Sequence, residues 1–199
     1  MRIVLLHPPH TAIGSRIPGE HLPPFGLLCL GGPLIDAGHE VHLVNADLAP
    51  MSVPEAVRTA LTHRPEAVLI GHSGSTSAHP TVVELAAALK LAAPGVTVVY
   101  GGVYPTYHWS EALGDCPAID IIVRGEGEAT APALIAALAS GADLSHLPGI
   151  AFRKGGRPHA TPPAPMIADL DAHRIGWELI DFARHNYWGG RRAAVLQFS

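Results

Sequence analysis

Cysteine is nearly missing: Cys29 and Cys116 are the two in 199 residues. Neither sits in a CxxC pair, so a disulfide framework is excluded and a cytoplasmic protein is the simplest reading. Charge is sparse as well, with 15% of residues charged and a net charge of −4. No basic face is available to neutralise phosphates, which argues against a nucleic-acid binder. No apolar run approaches the ~20 residues that a membrane helix needs. The apolar opening MRIVLL is about one strand long, too short for a signal peptide. There is no HExxH and no histidine cluster at metal spacing, although the chain has 13 histidines. Most of them read as surface or satisfied polar positions. His7, His10, His72 and His108 stand apart because each lies close to a strand end.

What is present is a core. Hydrophobic residues make up 48% of the chain, enough to exclude disorder as a whole. Apolar strand-like runs alternate with helix-like ones over residues 1–145. RIVLL, EVHLVNAD, EAVLIG, VTVVYGG and IDIIVRGEGE each start as a buried strand. Between and after them come PFGLLCLGGPLIDAG, VPEAVRTALTH with Ser52 as its cap, PTVVELAAALKLAAP, the short TYHWSEAL (Thr106 to Leu113) and ATAPALIAALASG. Near-continuous apolar strands joined by helices imply a parallel sheet covered on both faces. Right-handed crossovers then give an α/β, doubly wound fold of flavodoxin-like or Rossmann-like type with five parallel strands. Gly31, Gly32 and Pro33 break the pattern inside the first helix and imply either a kink or a close packing contact. Residues 146–190 read as a β-hairpin around Gly155-Gly156 followed by a linker. Residues 191–199, ending AAVLQFS, start a strand that no turn residue closes, so a longer protein is expected.

Ligands of such folds sit outside the carboxyl ends of the strands, and every unusual loop falls on that edge. The first, HPPHTAIGSRIPGEHLPPFGL, carries five prolines and three histidines. The third, GHSGSTSAHP, offers Ser73, Ser75, Thr76 and Ser77 to a polar ligand, or serves to cap the next helix. It lacks the lysine of a phosphate cradle. The fourth, YGGVYPTYHW, places Gly101 and Gly102 at the strand end, with Val103 and Tyr104 after them and flat rings suited to stacking. The fifth combines Gly125, Glu126, Gly127 and Glu128. Its carboxylates either complement a helix N-terminus or accept amide N–H donors from a ligand. A receiver-type module would need paired acidic residues after the first strand and a lysine after the fifth. His7-Pro8 and Gly125 stand there instead.

Taken together, HPP after the first strand, LPPFGLLCLGGPLIDAGHEV, the serine-rich loop, GGVYPT and DIIVRGEGEAT resemble the cobalamin-binding domain that precedes the radical SAM domain in a large enzyme class. GIAFRKGG resembles the hairpin between the two domains and AAVLQFS the first barrel strand of the second. HPPHTAIGSRIPGEHLPPFGLL and YGGVYPTYHWSE are most similar to an oxygen-independent branch that closes a ring on a porphyrin ester; a methylase of the same architecture is the alternative. The resemblance implies cobalamin as the cofactor. In the full-length enzyme it implies a four-iron four-sulfur cluster and S-adenosylmethionine, a C-terminal radical SAM domain as partner and a porphyrin substrate. The cluster cysteines are expected beyond Ser199, so residues 1–199 alone are expected to bind cofactor without catalysing. Implied corrin contacts are Pro8, Pro9, His10, Thr11, Ser15 and the loop residues above. Methionine-synthase-type domains use DxHxxG in the first loop. Here Pro8 stands where the aspartate would, with His10 and Gly14 spaced HxxxG. His10 is thus the candidate cobalt ligand but lacks a carboxylate to polarise it; the other reading is a lower cobalt face left open or water-filled.

Overall fold

The computed structural model describes residues 1–9, 21–48, 51–72, 76–187 and 190–192. Strand β1 (Arg2–His7) opens the chain. It is followed by α1 (Phe25–Asp36), β2 (Glu40–Asn45), α2 (Val53–Thr62), β3 (Ala67–His72), α3 (His79–Ala92) and β4 (Thr97–Gly102). Two short helices, α4 (Val103–Tyr107) and α5 (Trp109–Asp115), precede β5 (Ile121–Val123) and α6 (Thr130–Ser140). The hairpin β6 (Ile150–Lys154) and β7 (Arg157–Ala160) and a small pair, β8 (Asn186–Tyr187) and β9 (Arg191–Arg192), follow.

The sheet order is β2-β1-β3-β4-β5-β6-β7. The first five strands are parallel and β6 and β7 antiparallel. The doubly wound expectation is therefore met, and the hairpin around Gly155-Gly156 continues the same sheet from β5. Alternation along β1 explains the layering. Val4 and Leu6 face the layer that includes α2 and α3, while Ile3 and Leu5 face α1 and α6; all four are fully buried. A strand covered on both faces needs apolar residues at every position, which is why RIVLL is legible without alternation. Ser52 starts α2 as expected, its backbone N–H and hydroxyl both donating to Glu55 Oε2, at 2.8 and 2.6 Å.

The Gly31-Gly32-Pro33 run is a close packing contact. A methyl on Gly32 would run into the Arg174 carbonyl, and one on Gly31 into Leu179. The Gly176 N–H donates to Leu28 O at 2.9 Å. Residues after the hairpin thus lie directly on α1. One helix expectation is corrected. The segment expected as a single helix over Thr106 to Leu113 is two, beginning at Val103 and broken at His108. Gly102, at φ +115°, turns the chain at the last residue of β4, so the helix starts three residues earlier than its polar look suggests.

Candidate cofactor site

A cavity of about 460 Å³ opens at the carboxyl ends of β1, β3, β4 and β5, between the sheet and the α1 and α6 layer. It spans the β1–β3 boundary, where the strand order reverses and where such sheets bind ligands. Leu69, Val99 and Val123 form its floor, with Leu27 and Leu30 of α1 and Ala131 of α6 as walls. The strand-end pairs Gly71–Gly101 and His72–Gly102 sit side by side in register. Small residues there let α1 come close: a methyl on Gly71 would lie 2.7 Å from Leu27 Cδ2, and one on Gly127 2.7 Å from Leu30 Cδ2.

The rim is built from two loops tied by one hydroxyl. Thr106 Oγ1 donates to Gly102 O at 2.8 Å and accepts the Gly125 N–H at 3.0 Å. Val103 and Tyr107 flank it, 61% and 77% exposed, so an apolar edge faces outward beside the opening. Glu126 and Glu128 are the carboxylates on the lining. Glu126 Oε2 accepts the Ile167 N–H at 2.6 Å. Arg124 is engaged away from the cavity, donating to Thr161 O at 3.2 Å with its guanidinium over the Trp109 ring. His7 and His72, both buried, stack at 5.2 Å between ring centres and complete the lining at the ends of β1 and β3.

The site residues read from sequence divide into three groups. Gly101, Gly102, Val103, Gly125, Glu126, Gly127 and Glu128 are brought together on the cavity. Pro8, Pro9, Thr76, Ser77 and Tyr104 lie off its lining. Pro8 and Pro9 continue from β1, and Thr76 and Ser77 form the turn before α3. Tyr104 packs on the other sheet face, stacked between His79 at 4.4 Å and His108 at 4.6 Å. His10, Thr11, Ser15, Ser73 and Ser75 fall outside the described residues. Reading by residue type missed Thr106, whose signal is helical spacing from Gly102 and Val103. Tyr107, one of the flat rings of the fourth loop, and His7 and His72, set apart in the sequence as strand-end histidines, all lie on the lining.

Among the described residues no group of three or more metal-ligating side chains converges. Burial, with the Glu128 charge adding to it, pushes the Cys29 thiol up to about 11, so it stays protonated at neutral pH and is a poor ligand or nucleophile. No helix among them is long and apolar enough to cross a membrane.

The family model for the B12 binding domain matches residues 12–135. The chain belongs to the B12-binding domain family. It is 55% identical over all 199 residues to an anaerobic magnesium-protoporphyrin IX monomethyl ester cyclase from Synechocystis sp., covering 100% of this chain and 40% of the relative. It is 29% identical over 171 residues to an uncharacterized methyltransferase from Pyrococcus horikoshii, covering 86% of this chain and 37% of that protein. The chain therefore spans about two fifths of the length of these relatives. The fold is similar to that of a radical S-adenosylmethionine methyltransferase, TsrM, from Kitasatospora setae, solved with cobalamin and a [4Fe-4S] cluster. There the TM-score is 0.69 at 17% identity, covering 97% of this chain and 36% of that one.

Proposed function

We propose that this chain is the cobalamin-binding part of an oxygen-independent radical SAM cyclase acting on magnesium-protoporphyrin IX monomethyl ester. The product would carry the isocyclic ring of bacteriochlorophylls. The observation that carries this reading is the 55% identity to such a cyclase across the whole chain. The cavity supports the cofactor half of it. A cobalamin presents an amide-edged ring and a long nucleotide tail. The slot between α1, α6 and the sheet suits the tail, being floored by Leu69, Val99 and Val123. The rim suits the ring edge. Glu126 and Glu128 can accept amide N–H donors, and Val103 and Tyr107 offer apolar surface beside them.

When bound, cobalamin would supply a redox-active cobalt to assist radical chemistry begun by a four-iron four-sulfur cluster and S-adenosylmethionine in a C-terminal radical SAM domain. This chain's own residues bind and orient. Thr106 holds the two rim loops together, Leu27 and Leu30 exclude water from the slot, and Cys29 stays a thiol. The lower cobalt face is read as open or water-filled, with His10 as the alternative ligand.

Reconstitution with hydroxocobalamin followed by desalting tests the cofactor half. Retained corrin absorbance is expected, and complete loss of colour would sink it. Anaerobic assay of the full-length enzyme on the porphyrin ester tests the rest, with ring closure expected. A second reading, a radical SAM methylase, draws on the similarity to the Pyrococcus methyltransferase. A methylated product without ring closure in the same assay would favour it.

A further inference from the structure

Past β7 the chain does not leave the domain. Residues 167–179 form a strap fastened at two separated places. At one end the Ile167 N–H donates to Glu126 Oε2 at 2.6 Å. At the other, the Arg174 guanidinium grips Asp36, with Nε at 3.0 Å and Nη2 at 2.8 Å from Oδ1, and its Nη1 donates to Glu178 Oε1 at 2.6 Å. Gly176 N–H reaches Leu28 O at 2.9 Å, Leu179 fills the notch over Gly31, and the Trp177 ring lies 5.9 Å from that of Phe25. Both anchors sit on elements that build the cavity. Glu126 is on its rim, and α1 supplies the wall residues Leu27 and Leu30. The strap therefore joins two walls of one slot across the outside of the domain.

We propose that Glu126 is a positioning residue that holds the strap through Ile167, so that filling the cavity and docking of the strap are coupled. Rigid walls make strap docking cheaper in entropy, and a docked strap makes wall ordering cheaper in return. The coupling is reciprocal by linkage. Whatever follows the strap is thereby oriented against the cofactor cavity. The coupling rests on the cobalamin reading; the anchor itself does not.

Amide hydrogen exchange on the 199-residue chain separates the two. Without cofactor, Glu126→Ala speeds exchange at Ile167 about tenfold, as expected for a lost charge-assisted hydrogen bond, while Glu126→Gln, which keeps an acceptor oxygen, restores it. Unchanged exchange in Glu126→Ala overturns the anchor. With hydroxocobalamin bound, exchange across residues 167–179 slows in the wild type and does not in Glu126→Ala. Asp36→Ala, remote from the cavity lining, lowers hydroxocobalamin affinity about threefold. Retained cobalamin with no change in strap exchange, or an Asp36→Ala affinity equal to wild type, overturns the coupling. Loss of colour from the wild-type chain overturns the cobalamin reading and the coupling with it, while the cofactor-free comparison still decides the anchor.

Discussion

At the scale of single residues, Thr106 does the most with the least. One hydroxyl bonds Gly102 O and the Gly125 N–H, and so fixes the spacing of two loops that would each contact a ligand. Thr106→Val keeps the branched shape and removes both bonds. Each neutral hydrogen bond contributes about 0.5–1.5 kcal/mol net, so the rim should loosen and hydroxocobalamin affinity fall roughly tenfold, a change worth about 1.4 kcal/mol. Thr106→Ser should retain most of the affinity. An absorbance titration of the three proteins checks this, and equal affinity for Val and wild type would refute the rim role. Tyr104 carries the complementary lesson. It has the residue type expected of a corrin contact, yet it belongs to the His79–Tyr104–His108 stack. A helix starting at Val103 sends positions 103, 106 and 107 to one side and 104 and 108 to the other, since neighbours on a helix face are three or four apart. Residue identity alone could not reveal this, because the facing depends on where the helix begins.

At the scale of elements, α1 shows how a local anomaly encodes a long-range contact. Glycine in a helix interior costs about 1 kcal/mol relative to alanine, so Gly31 and Gly32 look unfavourable when α1 is taken alone. Their compensation is the strap, whose backbone comes so near that a methyl on Gly176 would lie 2.8 Å from Gly32 N. Two helical glycines should therefore respond with opposite sign to the same change. Gly32→Ala gains helix propensity but drives a methyl into the Arg174 carbonyl, a clash with backbone that should destabilise by about 1–3 kcal/mol. Gly114→Ala, in α5 with no atom within 4 Å of the new methyl, should stabilise by roughly 0.5–1 kcal/mol. Urea unfolding of both variants checks the pair. A neutral or stabilising Gly32→Ala would mean that the strap does not rest on α1.

At the scale of the whole molecule, the parallel sheet was legible because strands buried on both faces must be apolar throughout, and the loops on one edge were marked by their glycines. The cavity itself was only half legible. Its glycine and glutamate rim was readable, whereas its walls come from Leu27 and Leu30, ordinary helix leucines until α1 is set against the sheet. Burial also leaves a mark that only the assembled molecule shows. Desolvation is the first cause holding His39, His63 and His79 below the ordinary histidine value of 6.5, and for His79 it outweighs the opposing charges of Asp115 and Glu111. Each of these histidines binds a proton more readily unfolded than folded. Stability from this source is thus complete above about pH 6.5 and declines as pH falls from there toward the lowered folded values, where U carries more protons. The carboxylates Asp36, Glu40, Glu55 and Glu66 are held below their ordinary values, mainly by hydrogen bonds, so their contribution fades only in a more acidic range. Thermal melts should therefore show Tm falling already between about pH 7 and about pH 5.5, before the carboxylates titrate. His79→Gln, which cannot take up the proton, should flatten that slope. A Tm constant across the window in the wild type would show that these histidines are not kept neutral by the fold.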